Sequence, residues 1–224
     1  MKTFLKTLFP VAPAIFAFCL VANGQNQRDT STEPKVPVIK MENVPLSAAI
    51  ENLGRQAGMN FTVDPKILGG GLTNSENAKW RSPVTLRWEN MTAENALARL
   101  LKERDLFIVK HPQTGVVKIT GTNSPPRVFE KELLDSSKDV IPLIQMMDVP
   151  LDAALANLGR QAKLKLELDP RLSGASKPFS ERVTVSVRFE GLTAGQALAA
   201  ICDQHNLQIA KSAEAGVWRV SQDQ

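Results

Sequence analysis

An internal duplication constrains the fold of this chain more than any other feature. Residues 38–69 align without a gap on residues 143–174, at an offset of 105, and 16 of the 32 paired positions are identical. After a loop that is four residues shorter in the second copy, the match resumes at an offset of 101, where residues 84–89 face residues 185–190. One long match indicates a duplicated unit rather than the short period of a solenoid. The sequence therefore predicts two copies of one small module.

Each copy has the residue patterns of a mixed unit with two helices and several short strands. Pro45 suits the first turn of a helix, and it precedes apolar residues spaced as on one helical face: Leu46, Ala49, Ile50, Leu53 and Ala57. Residues 84–89 alternate apolar and polar, as in a half-buried strand. Thr92 precedes a second helical pattern, and Thr193 with Gln196 has capping-box spacing. Residues 106–120 are typical of a hairpin with its turn at 113–115. The predicted class is α+β, with the order β-α-β-β-α-β-β twice and two helices packed on small sheets in each module.

Composition predicts where the modules begin and end. Residues 1–24 combine two lysines, an apolar run and small residues before Gln25, which indicates a signal peptide cleaved at that point. The alternative, a retained membrane anchor, is disfavoured because the apolar run is shorter than the roughly 20 residues that span a bilayer. We expect a flexible segment at 25–35, a first module at 36–121, a linker at 122–137 with a charged helical turn at 130–134, and a second module at 138–222. Because each module has a thin core, the two are expected to lean on each other or on a partner.

Charge argues against a nucleic-acid partner. The formal net charge is +4, from 27 basic and 23 acidic residues. Two of the lysines lie in the predicted signal peptide, which leaves 27 − 2 = 25 basic residues and a net charge of +2. This small, dispersed excess on an exported chain does not indicate a nucleic-acid-binding surface.

A search for catalytic and metal-binding residues finds no converging set. His111 and His205 do not belong to a larger set of ligand residues, and both are expected on the surface. The glycines at 69–71 do not open a helix after a strand, so they indicate a loop rather than a phosphate cradle. Cys202 lies in an apolar helical stretch, where a cysteine usually acts as a small hydrophobe. We expect no enzyme activity, no cofactor, no metal and no intramolecular disulfide.

The repeated core pattern resembles a known family. Each copy has an apolar strand, the pattern V-P-L-x-x-A-[IL]-x-x-L-x-x-Q-A, a short strand ending in Asp-Pro, a further strand, T-x-x-x-A-L and a final hairpin. The first copy carries these at Val44–Leu46, Gln56–Ala57, Asp64–Pro65 and Thr92, and the second copy carries their counterparts. This resembles the short N-terminal (STN) domain of secretins and TonB-dependent receptors, and it covers nearly the whole chain after the signal peptide.

The resemblance implies a periplasmic, non-enzymatic module that docks onto other envelope proteins, often by pairing strands or contacting an inner-membrane component. Only four residues follow Val220, so neither a receptor barrel nor a secretin pore is expected.

Candidate partner contacts come from residues that differ between the copies and from outward-facing arginines. Trp80, beside Arg81 in the loop 68–83, has no counterpart in the second copy, and Trp with Arg is the composition of an interface anchor. The alternative is that the Trp80 ring tucks against its own module. Arg87 and Arg188 occupy aligned outward positions and complete the candidate set.

Other residues are expected to be structural. Trp88 aligns with Phe189 and is expected in the core. Gly54 and Gly159 fall inside helices, where glycine is costly, so a neighbouring element is expected to pack closely there.

The sequence thus predicts an adaptor or sensor for an envelope transport, secretion or signalling complex. One alternative is a ring-forming accessory subunit of a secretin-type secretion or pilus system, which would self-associate. Another is a peptidoglycan-associated factor or enzyme. With no tyrosine and few aromatic residues, the chain does not indicate a sugar-binding platform.

Overall fold

A computed structural model describes residues 36–68, 78–172, 183–214 and 216–222. The predicted signal peptide, the segment 25–35 and the glycine run at 69–71 lie outside the described residues. Within the described ranges there are ten strands, four helices of eleven residues and two helical segments of four residues. The predicted α+β class is confirmed.

The first half of the chain, residues 36–121, contains eight elements: β1 Val36–Val44, α1 Leu46–Gln56, β2 Phe61–Val63, α2 Ala78–Arg81, β3 Val84–Met91, α3 Ala93–Glu103, β4 Phe107–Lys110 and β5 Val117–Thr120. The second half, residues 131–222, contains eight more: α4 Lys131–Leu134, β6 Val140–Pro150, α5 Leu151–Gln161, β7 Lys165–Leu168, β8 Thr184–Thr193, α6 Ala194–Gln204, β9 Leu207–Lys211 and β10 Val217–Gln222. All described residues belong to one compact unit.

The strands form the same two small sheets in each half. In the first half, β1 pairs antiparallel with β3, and a three-stranded sheet has the order β2-β5-β4. In the second half, β6 pairs antiparallel with β8, and the three-stranded sheet has the order β7-β10-β9. The central strand runs parallel to β2 or β7 and antiparallel to β4 or β9. Strands β4 and β9 are therefore equivalent edge strands.

The left-handed backbone positions also recur at the two sequence offsets. Asn43 (φ 53°) corresponds to Asp148 (φ 51°) in the bulged first strands, and Gly58 (φ 63°) corresponds to Lys163 (φ 58°) after the first helices. Three further pairs agree in the same way: Asn90 with Gly191, Asp105 with Asn206, and Gly115 with Gly216. Asn, Asp and Gly are the residues that adopt this conformation most readily. Lys163 is the exception among these positions.

The helices begin and pack as their sequences indicate. The side chain of Thr92 accepts a hydrogen bond from Asn95 N–H, and Thr193 with Gln196 forms the predicted capping box. A Cβ atom on Gly54 would clash with the Phe61 ring, which confirms the predicted close packing; Gly159 meets Leu166 in the same way. Trp88 and Phe189 are both buried, as predicted.

The segment predicted as a linker contributes to the core of the second half. Phe129, Leu133 and Leu134 are buried in the same cluster as the apolar face of α6. Gly195 permits this approach, because a Cβ atom there would clash with the carbonyl oxygen of Leu133. At the aligned position the first half has Glu94, and the outer face of α3 is exposed. The second half is thus covered by α4 in a way that the first half is not.

Candidate functional site

Among the described residues, strand β4 pairs only with β5, so its other backbone edge is unpaired. His111 N–H donates to Val116 O (2.8 Å), and Gly115 N–H donates to His111 O (2.9 Å), so His111 forms a hydrogen-bonded pair with the start of the returning strand. Such pairs alternate along an antiparallel ladder with pairs whose backbone groups point away from the partner strand. His111 is a hydrogen-bonded position, so Lys110 and Ile108, one and three residues before it, are positions of the other kind. Their N–H and C=O groups therefore point away from β5, toward the open edge.

Strand β4 exposes apolar side chains, whereas its counterpart β9 exposes Gln208 and Lys211 and buries its aligned isoleucine. Phe107 is 41% exposed and Ile108 is 43% exposed, but Ile209, which aligns with Ile108, is only 7% exposed. Ile209 belongs to the cluster that holds the residues of α4, and the Lys211 ammonium forms an ion pair with Glu132 of α4. Natural sheets usually cover or charge such an edge to prevent pairing with other chains. The β4 edge, residues 107–110, has apolar side chains and one terminal lysine.

The four partner-contact residues predicted from sequence are not gathered in one place. The Trp80 ring is half-buried: its Nε1–H donates to Arg104 O (3.1 Å), and its six-membered ring lies over Gly121. The ring therefore packs on its own half, which is the second of the two alternatives for this residue. Arg81 is exposed.

The two aligned arginines lie on separate sheets. Arg87 on β3 pairs with Glu89 (3.0 Å), and Arg188 on β8 pairs with Glu190 in the same way. Arg188 also lines a groove of about 280 Å³ between the halves, where Met59 and Phe61 face Met147.

The two halves contact each other through polar groups. The Asn60 side-chain amide donates to Glu190 O (2.8 Å) and accepts from Glu190 N–H (2.7 Å). Gln204 Nε2 donates to Val63 O (2.9 Å). Lys118 Nζ donates to Asp203 O (2.6 Å) and lies 3.6 Å from the Asp203 carboxylate, with the two side chains only 13% and 7% exposed. Charged groups so deeply buried are retained when they are paired and hydrogen-bonded.

The expectation that both histidines lie on the surface is wrong. His111 is 3% exposed, because the segment that leads into α4 folds over the β4–β5 turn. Its ring stacks on Phe129 (5.5 Å between centroids). Since Nδ1 accepts from Gln113 N–H (3.2 Å), Nε2 carries the proton and donates to Arg127 O (2.6 Å). Sequence reasoning missed this role because it depends on a contact with residues 16 and 18 positions away.

His205 lies partly buried between the halves, and its Nε2 atom is buried without a hydrogen-bond partner. Burial lowers the pKa of His205 to about 4, with Asp64 opposing the shift and Lys118 adding to it. The imidazole is therefore neutral at neutral pH.

Cys202 is fully buried in α6, and burial, with a further contribution from Asp203, raises the pKa of its thiol to about 12. A thiol in this environment is not a nucleophile at neutral pH. Its position in the core confirms the prediction that it acts as a small hydrophobe.

Comparisons of this chain with family models, with curated proteins and with solved structures found no match. Among the described residues, no three His, Cys, Asp or Glu side chains are grouped so that they could hold a metal ion. In the same ranges, no helix is long and apolar enough to cross a bilayer.

Proposed function

We propose that this chain is an exported, non-enzymatic interaction protein built from two STN-like halves, which binds an extended segment of an envelope partner along β4. The partner would be an outer-membrane channel or receptor, or an inner-membrane component. The observation that carries the proposal is the β4 edge, where outward backbone groups at Ile108 and Lys110 lie beside the exposed Phe107 side chain. An added strand satisfies such backbone groups, and its side chains supply specificity.

The second half indicates what chemistry the partner segment should have. There, the chain itself covers the equivalent surface with apolar side chains and places Glu132 against Lys211. Lys110 aligns with Lys211. We therefore expect an extended segment whose apolar residues cover Phe107 and Ile108 and whose acidic residue lies opposite Lys110.

Site-specific photo-crosslinking tests where the partner binds. Benzoylphenylalanine at Phe107 replaces one exposed aromatic ring by another, and the same residue at the aligned Gln208 on β9 is the control. The proposal expects a crosslink to an envelope protein from position 107 and none from position 208.

Proline substitution then tests the backbone contribution with the purified partner. Lys110→Pro removes an N–H group that points away from β5 together with the lysine charge, so the β4–β5 ladder is retained. Losing these two interactions is expected to weaken Kd by at least about tenfold. Lys211→Pro, at the aligned position on β9, is expected to leave Kd unchanged. The proposal is contradicted if Lys110→Pro leaves Kd unchanged, or if both variants lose the same affinity.

A further inference from the structure

A second cavity, of about 530 Å³, is lined by residues of both halves. Its size is within the range of small-molecule sites. The walls come from the open face of the β2-β5-β4 sheet, from residues 121–127, from the C-terminal end of α6 and from the Trp80 ring. The β4 edge strand contributes only Val109, so the cavity is distinct from the proposed strand-binding edge.

One wall of the cavity is a chain of hydroxyl groups that ends on a carboxylate. Ser124 Oγ donates to Thr122 Oγ1 (3.3 Å), Thr122 and Thr120 are joined by a hydrogen bond between their hydroxyls (3.4 Å), and Thr120 Oγ1 donates to Asp64 Oδ2 (3.4 Å). The other Asp64 oxygen accepts from Lys66 N–H (2.9 Å). Thr122 and Ser124 each keep an acceptor lone pair for a ligand, whereas the Thr120 oxygen already accepts from Thr122 N–H (3.3 Å) as well. This wall is therefore suited to a ligand with hydroxyl donors.

The cavity is also lined by the indole ring of Trp80, which is held in a fixed position. The bond from Nε1–H to Arg104 O and the contact with Gly121 anchor Trp80. Aromatic faces provide a rigid apolar surface for the C–H groups of a ligand. Hydroxyl groups along one wall and an indole at the side are together the recognition elements for a ring that carries both C–H and O–H groups.

The charges in the cavity disfavour an ionic ligand. Asp64 and Asp203 repel anions. The cation that points inward, Lys118, is already bound to Asp203 O (2.6 Å) and Asn206 Oδ1 (3.3 Å). Lys66 and Arg127 also line the cavity, where their charges offset the carboxylates and disfavour a polyamine. A neutral ligand therefore fits best.

We propose that this cavity binds a short, uncharged saccharide, with a sugar ring against Trp80 and its hydroxyl groups on Thr122 and Ser124. The sequence contains no tyrosine and did not indicate an aromatic platform. The proposed site needs only one indole, because the remaining contacts come from hydroxyl and amide groups.

The test uses the indole N–H resonances of the three tryptophans in an NMR titration of the whole protein. Maltotriose and the trimer of N-acetylglucosamine are the probes, and Trp80→Phe assigns the Trp80 peak. Trp88 and Trp218 are buried away from the cavity. One or both saccharides are expected to shift the Trp80 peak alone, with saturation in the millimolar range or below.

A pair of isosteric variants tests the hydroxyl wall. Thr122→Val removes the central hydroxyl of an exposed residue and is expected to weaken Kd about five- to tenfold, as for one lost hydrogen bond. Thr184→Val, on β8 outside the cavity, is expected to leave Kd unchanged. The proposal is overturned if neither saccharide moves the Trp80 peak, if inorganic phosphate or spermidine moves it instead, or if Thr122→Val binds as tightly as the wild type.

Discussion

At the scale of single residues, comparison of the two copies identifies a residue, Lys163, whose type does not suit its backbone conformation. Gly58 and Lys163 both follow the first helix of their half with a positive φ. A left-handed conformation costs a residue with a Cβ atom about 1–2 kcal/mol, whereas glycine adopts it freely at an entropic cost of about 0.5–1 kcal/mol. Lys163 is exposed, so its side chain gives little packing in return.

Lys163→Gly is therefore expected to raise the free energy of unfolding by about 0.5 kcal/mol. The reciprocal change, Gly58→Lys, is expected to lower it by a similar amount, and nothing lies within 4 Å to obstruct the added side chain. Urea denaturation of both variants measures the difference. If Lys163→Gly destabilises the protein, the conformational argument fails.

At the scale of elements, the two halves differ in the segment 128–134, which leads into α4 and packs on the second half. Phe129 is 5% exposed and its backbone is held on both sides by the Gln113 side chain (2.9 Å each), while the preceding Val128 is 84% exposed. Two neighbouring apolar residues thus have opposite environments.

Phe129→Ala is expected to lower the free energy of unfolding by about 3 kcal/mol or more, because it leaves a cavity under α4 and removes the His111 stack. Val128→Ala, the matched control, is expected to change it by less than about 0.5 kcal/mol. Chemical denaturation monitored by circular dichroism distinguishes the two. Equal effects of the two substitutions would show that the burial of Phe129 does not stabilise the protein.

What could be predicted at this scale was local. The helices followed from apolar spacing, and Thr92 and Thr193 located their starts, because capping involves residues only three positions apart. The burial of Trp88 and Phe189 followed from their alignment. The packing of residues 128–134 could not be predicted. The composition of this segment is that of a linker, and its burial depends on contacts with Gly195 and with the hairpin near His111. For the same reason the sequence did not distinguish the exposed Ile108 on β4 from the buried Ile209 on β9.

At the scale of the whole molecule, the junction between the halves has chemistry that the duplication does not repeat. Lys118 and Asp203 form its buried ion pair, and the aligned residues are Arg219 and Lys102, both cationic. A ring made by repeating this junction between copies would set these two cations against each other. Self-association in a ring would therefore need a different surface.

The junction also makes stability depend on pH through His205. The folded protein holds the pKa of His205 near 4 by burial, below its usual value of 6.5. Above pH 6.5 the imidazole is mostly neutral in both the folded and the unfolded protein, so it does not lower the free energy of unfolding. Below pH 6.5 the imidazole of the unfolded chain binds a proton while that of the folded protein stays neutral, which favours unfolding. The free energy of unfolding is expected to fall by about 1 kcal/mol between pH 6.5 and 5.5.

Thermal or urea unfolding at the two pH values measures this loss, in a range where most carboxylates stay ionised. His205→Gln is expected to remove it. If the variant keeps the wild-type slope, the pH dependence comes from another group.

The burial of Cys202 has a consequence for how the protein matures. In the oxidising compartment that we propose for it, thiol–disulfide exchange requires a thiolate, and a side chain with its pKa near 12 supplies almost none. The described residues contain no other cysteine. Once the protein has folded, Cys202 therefore has no disulfide partner among the described residues, and the mature protein should not respond to the redox state of its surroundings.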